Sequence, residues 1–131
     1  MITLTVSTSQ KTELIDITDT VAAEISKSGV SDGILLMYVP HTTAAVTINE
    51  GADPSVKSDI LMMLNKVIPW KDAYKHMEGN SPAHIKASLV GPSEFVIIEN
   101  SRLVLGTWQA IFFCEFDGPR TRKVHLKWVT R

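Results

Sequence analysis

The sequence predicts a single α+β domain over residues 1–131, built mostly on antiparallel sheet with two main helices. Three observations predict it. Many short stretches alternate apolar and polar residues, or run apolar between turn formers, as strands do. Two stretches carry apolar residues at helical spacing between start and stop signals. The strands follow one another mostly in meander order, whereas a parallel sheet needs a long crossover between strands.

Taken in order, residues 2–7 (ITLTVS) alternate and read as a half-buried strand, and 13–15 as a short second one. Asp16 is a candidate N-cap for a helix whose apolar positions are Ile17, Val21 and Ile25, and Gly29 is its stop. Residues 33–39 (GILLMYV) are apolar throughout but too short for an ordinary helix, so they read as a central strand. Residues 42–48 form the next strand, with His41, Thr43, Thr47 and Asn49 on a polar face and Thr42, Ala44, Val46 and Ile48 on a core face. Asp53-Pro54 opens the second helix, with Val56, Ile60, Met63, Leu64 and Val67 as its buried stripe and Pro69 beyond its end. Residues 70–82 (WKDAYKHMEGNSP) have no period. Residues 83–90 alternate and predict a strand with Ile85, Ala87 and Leu89 on one face and His84, Lys86 and Ser88 on the other. Residues 95–98, 103–105, 110–116 and 123–129 are the remaining strands. Trp108 is expected to pack in the interior.

Composition narrows the functional classes. A net charge of −1 argues against binding nucleic acid through its backbone, which needs clustered cations. No apolar run approaches a membrane span, and the first residues lack the charged start of a secretory signal. The one cysteine, Cys114, forms no internal disulfide and suits a reducing compartment, so the expectation is a cytoplasmic protein. Cys114 lies on a core-like face without a neighbouring cation, which argues against a catalytic thiol.

Two constellations could carry chemistry. His41, His76 and His84 each stand among polar residues, with Glu50, Asp53 and Glu78 as available carboxylates. Three imidazoles, or two and a carboxylate, with one open position is the arrangement of a catalytic zinc. Ordinary hydrogen-bonding histidines explain one or two of them equally well, since the spacing matches no standard metal motif. The second constellation is anion recognition. Asn80 and Ser81 sit in a glycine turn, Lys86 and Ser88 share the His84 face, and Arg120 and Arg122 suit bidentate phosphate contact. A polar turn with surface ion pairs accounts for at least one of these two arginines.

The segments PHTTAAVTINEGADP, HMEGNSPAHIKASLVGPS and LGTWQAIFFCEFDGPRTRKV closely resemble, in this order, the signature segments of the YjbQ-like family, which is also called secondary thiamine-phosphate synthase. The resemblance spans nearly the whole chain. It implies a compact α+β fold and a homotrimer with sheets packed around a threefold axis. It also implies a polar, histidine-bearing pocket suited to a divalent metal. His41 matches the histidine of the first segment, and His76 and His84 those of the second. The implied reaction couples a pyrimidine methyl diphosphate to a thiazole phosphate and releases diphosphate. On this resemblance the expectation is a metal-dependent enzyme for a small anionic, phosphorylated metabolite. His41, His76 and His84 would hold zinc, or magnesium brought by a diphosphate. Glu50 or Asp53 would act as base or orienter, and Lys86, Ser88, Asn80, Ser81, Arg120 and Arg122 would hold substrate. A metal-dependent hydrolase and a non-enzymatic trimeric metabolite-binding module remain alternatives.

Overall fold

A computed structural model describes residues 1–130. The elements run β1 (Ile2–Ser7), β2 (Glu13–Asp16), α1 (Thr18–Ser28), β3 (Gly33–Tyr38), β4 (Ala44–Glu50), α2 (Pro54–Val67), α3 (Ser81–Val90), β5 (Ser93–Glu99), β6 (Arg102–Leu103), β7 (Gln109–Glu115) and β8 (Thr121–Val129). The expected α+β architecture holds. All strand pairs are antiparallel, in a five-stranded sheet ordered β1-β8-β3-β5-β6 and a three-stranded sheet ordered β2-β7-β4.

The two sheets stack, and alternation along each strand sorts the side chains. Leu35, Met37, Val96, Ile98, Val124 and Leu126 of the larger sheet meet Ala44, Val46, Ile111 and Phe113 of the smaller one, with Val21 and Ile25 of α1 joining them. The other face of the smaller sheet (Leu14, Ala45, Phe112 and Cys114) packs with Ala83 and Ala87 of α3 and with Ile60, Leu61 and Leu64 of α2. The small sheet is therefore a middle layer. That corrects the reading of a half-polar strand for its first part: Thr43, Ala44, Ala45 and Val46 are all buried, because the chain is covered on both sides there, whereas Thr47 is half-buried and Asn49 exposed.

Helix signals behave as expected at two ends. Gly29 adopts a left-handed conformation (φ 76°) and stops α1, and the Asp53 carboxylate accepts from the Ser55 N–H at 2.9 Å to start α2. The Asp16 carboxylate also caps the start of α1, through the Thr18 N–H at 2.9 Å, although the residue in the N-cap position is Ile17.

Three expectations fail. Residues 83–90 are not a strand but lie in α3. Pro82 near the first turn and the pair Ala83/Ala87, four apart, let a helix lie close on β4, whose Ala45 shares their cluster. The buried stripe of α2 is narrower than its pattern implied. Met63 and Val67 are exposed, and Ile60, Leu61 and Leu64 make the contact. Trp108 is 64% exposed, because Gly106–Gln109 is a turn, closed by the Gln109 N–H to the Gly106 carbonyl at 3.0 Å, and not a strand. Among the described residues no helix is long and apolar enough to cross a membrane.

Candidate functional site

One end of the sandwich gathers most of the polar residues singled out above. A cleft of about 460 Å³ is lined by His41, Thr42, Thr43, His76, Glu78, Asn80, His84, Arg120 and Arg122. A second hollow of about 300 Å³, walled by Ala87, Ser88 and Pro92, adjoins it across His41, Thr42 and His84.

Four segments build this end. His41 stands in the link between β3 and β4. His76 and Glu78 come from the irregular stretch before α3, their side chains 3.9 Å apart. Asn80 and His84 lie on the first turn of α3, and the His76 and His84 rings meet edge to face with centroids 5.4 Å apart. Arg120 and Arg122 come from the β7–β8 connection and the start of β8. That connection lies close on the chain after β1: a Cβ on Gly118 would collide with the Gln10 carbonyl oxygen, so only glycine fits.

Beneath the cleft lies a buried ionic network. The Arg122 guanidinium donates from Nε and Nη2 to the Glu115 carboxylate and from Nη2 to the Thr43 hydroxyl at 2.8 Å. Glu115 also accepts from the Thr8 hydroxyl (2.8 Å) and the Asp117 N–H (3.1 Å). Burial pushes the Glu115 carboxyl up, but the hydrogen bonds from Arg122, Thr8 and Asp117 outweigh it and hold it below the usual range. Asp117 is likewise held low, burial opposing, by hydrogen bonds from Asn80 and Lys11 and by the Lys11 and Arg120 charges. Arg120 donates to the Asp117 carboxylate at 3.1 Å with its side chain half exposed, so part of its guanidinium faces the cleft.

The two arginines therefore divide. Arg122, expected to hold substrate, is almost wholly buried and commits Nε and Nη2 to Glu115 and Thr43, so its main role is structural, although the residue still lines the floor of the cleft. Arg120 remains available. Lys86 needs a larger correction. On a helix, positions two apart face away from each other. Lys86 thus turns from His84 and is buried, donating to Asn65 Oδ1 at 2.5 Å. Ser88, four residues from His84, stays on the cleft side, its hydroxyl donating to the His84 carbonyl at 2.9 Å. Ser81 opens α3 beside Asn80. Glu50 and Asp53, expected as base or orienter, stand at the far end of β4, roughly 20 Å along the strand from His41 at about 3.3 Å per residue. Their carboxylates serve the local backbone, accepting from the Ala52 and Ser55 N–H groups. Sequence reasoning placed Glu115 and Asp117 beside the two arginines and Thr43 on the face of His41, but gave none of them its role as the frame of the site. The one available signal was the two acidic positions beside Arg120 and Arg122.

Burial depresses the Lys86 ammonium below its usual pKa, and among the described residues no carboxylate pairs with it. Lys86→Met is expected to stabilise the chain at pH 7 by about 1–2 kcal/mol. The wild type binds fewer protons folded than unfolded between the depressed value and about 10.5, so its stability rises with pH across that window. The advantage of the variant should shrink accordingly between pH 7 and pH 10. Urea unfolding at the two pH values checks it, and a destabilised variant at pH 7 refutes it.

The cleft can be tested for fit to a divalent metal. His76 and His84 offer imidazole nitrogens. Asn80 Nδ2 donates to the Asp117 carboxylate at 3.0 Å, which leaves Asn80 Oδ1 buried without a donor, an oxygen suited to an electropositive partner. His41 fits less well, because its Nε2 already accepts from the Lys123 N–H at 2.9 Å. Among the described residues no three His, Cys, Asp or Glu side chains converge on a ligating geometry. His76 and His84 are the two imidazoles that stand together in the cleft, with Asn80 beside them on its wall.

Comparisons with known proteins agree with this fold throughout. The UPF0047 protein YugU of Bacillus subtilis (strain 168) is 54% identical over 126 residues, covering 95% of this chain and 96% of its own. The crystal structure of an uncharacterised conserved protein of the YjbQ/UPF0047 family from Clostridium acetobutylicum superimposes with a TM-score of 0.96 at 56% identity, covering 98% of this chain and all of that one. A conserved hypothetical protein of Thermus thermophilus does so with a TM-score of 0.92 at 40% identity, over 98% of this chain and all of that one. The family described as UPF0047 protein YjbQ-like matches residues 2–131, and with likeness of this extent in both sequence and fold, the chain belongs to that family.

Proposed function

We propose that the chain is a cytoplasmic enzyme for a small phosphorylated metabolite, with a divalent metal beside the substrate. The observation that carries this reading is the cleft of about 460 Å³ in which His76, His84, Asn80 and the half-free Arg120 stand together. His76 and His84 would hold the metal, zinc being suited to imidazole ligands. Bound there, it would supply positive charge to a departing diphosphate. Arg120 contributes a guanidinium held in place by Asp117, and Thr42 and His41 complete the wall. Thiamine phosphate formation is the activity that the family resemblance names, and an arginine beside a metal suits its leaving diphosphate.

The test is elemental analysis of the purified protein and of a His76→Ala/His84→Ala variant, followed by assay with diphosphate substrates. Near-stoichiometric zinc lost in a folded variant, with product formed only when both coupling partners are present, is expected. Phosphate release without the second partner would make the enzyme a hydrolase. Absence of metal after reconstitution sinks the metal reading.

We also propose that the chain is a homotrimer, as the resemblance implies. The outer face of the larger sheet supports self-association. Phe95 and Ile97 of β5 and Ile34 and Tyr38 of β3 point away from the core and are exposed, in neighbouring rows of the ladder. A contiguous exposed apolar patch generally marks an interaction surface.

A further inference from the structure

We infer that His41 is a fixed Nδ1–H donor to an acceptor oxygen of the bound anion, held in that tautomer by the backbone of β8, and is not a metal ligand. The inference rests on the proposed reading of the cleft as a site for a phosphorylated ligand.

The carrying observation is the hydrogen bond from the Lys123 N–H to His41 Nε2, at 2.9 Å. Its origin lies in the register. The β3–β8 ladder ends with Tyr38 opposite His125, so Lys123 lies beyond the last paired residue. Its N–H finds the imidazole instead of a strand carbonyl. A backbone amide can only donate. A neutral imidazole that accepts at one nitrogen carries its proton on the other. Nδ1 therefore bears the hydrogen, and among the described residues no protein acceptor takes it. Nδ1 as it stands is a donor and has no lone pair for a cation.

The surroundings agree. The ring borders both hollows, with Arg120 lining the larger one. Burial, with the Arg122 guanidinium behind the ring, lowers the His41 pKa against the opposing pull of Glu115, so the ring is neutral at pH 7. The opposite polarity of Asn80 sharpens the assignment. Its amide nitrogen donates to the Asp117 carboxylate, and its Oδ1 is an acceptor buried without a donor. The cleft thus offers donors in His41 Nδ1–H and Arg120, while the Asn80 acceptor is buried behind its wall. A phosphoryl oxygen, which accepts and carries negative charge, matches those donors. The residue is then a binding group that reads the anion, and its neutrality keeps the site from loading a competing charge next to Arg122.

The experiment is a long-range nitrogen–proton NMR correlation on the labelled full chain, without ligand, with zinc, and with inorganic diphosphate. The expected result is an unprotonated Nε2 and a protonated Nδ1 at His41, unmoved by zinc and shifted by diphosphate. Variants give an independent reading. His41→Asn keeps an amide N–H near the position of Nδ1 and should bind diphosphate within about threefold of wild type, whereas His41→Ala should lose roughly tenfold. An Nε2–H tautomer, or a zinc-induced change at the His41 nitrogens, overturns the inference even if diphosphate still binds. A wild type that holds the tautomer but binds no diphosphate overturns the donor role together with the ligand reading of the cleft.

Discussion

Replacing Glu115 by glutamine will destabilise the chain by about 3–5 kcal/mol, because it leaves the Arg122 guanidinium buried and unpaired. Both side chains are almost wholly buried, and the carboxylate is the only charge partner that Arg122 has among the described residues. Domains of this size are stable by about 5–15 kcal/mol, so the loss is a large part of the whole. Glu115→Gln/Arg122→Met removes both charges and should recover most of it, since a buried pair is often replaced by apolar groups at little net loss. Urea unfolding of the single and double variants separates the cases. A single variant within about 1 kcal/mol of wild type would show that water or another group compensates Arg122.

The same network sets the acid limit. Glu115 and Asp117 are held below their usual pKa, so their contribution is complete above the ordinary carboxylate range and is lost as pH falls through the depressed values. His41 acts in the same direction. Its depressed pKa means that the unfolded chain takes up a proton first as pH falls below about 6.5, which favours unfolding. The unfolding midpoint should therefore fall steadily from pH 7 to pH 4, and less steeply in the Glu115→Gln variant.

The second large effect concerns assembly. Phe95→Glu is expected to convert a trimer, three times 14.5 kDa, into single chains, without changing the circular dichroism spectrum. Phe95 is 66% exposed and stands opposite Leu36 in the β3–β5 ladder, beside the pair Ile34 and Ile97. Its ring contributes nothing to the core between the sheets, so a charge there leaves the folded chain intact but cannot be buried against a second copy. Light scattering of wild type and variant decides it. A monomeric wild type, or a variant that stays trimeric, refutes the assembly proposed for this face.

Much of the fold was legible because strand alternation and helix caps are local. The Gly29 stop, the Asp53 cap and the apolar strand after Asp32 each depend on a few neighbouring residues, and each stands where its pattern put it. Residues 83–90 show the limit of that logic. Ile85, Ala87 and Leu89 satisfy a period of two, but Ala83 and Ala87 also satisfy a spacing of four. The packing on β4 chose the second. Ile85 and Leu89 then face outward, which no local pattern predicts.

The candidate site divides in the same way. That His41, His76, His84 and Arg120 carry polar chemistry could be read from residue type and segment, and the same reading grouped Glu50, Asp53, Lys86 and Arg122 with them. Distance along β4 removes the first two, helical geometry turns Lys86 inward, and Glu115 with Thr43 holds Arg122 at the floor of the cleft. The sequence by itself determined two of the three helices, every strand that forms (with one false strand at 83–90) and the inventory of reactive side chains, since those follow from local spacing and chemistry. Only the tertiary structure decided which of them meet, and which nitrogen of His41 holds its proton. The partners that settle both questions, such as the Lys123 amide 82 positions along the chain, become neighbours only when the sheets form.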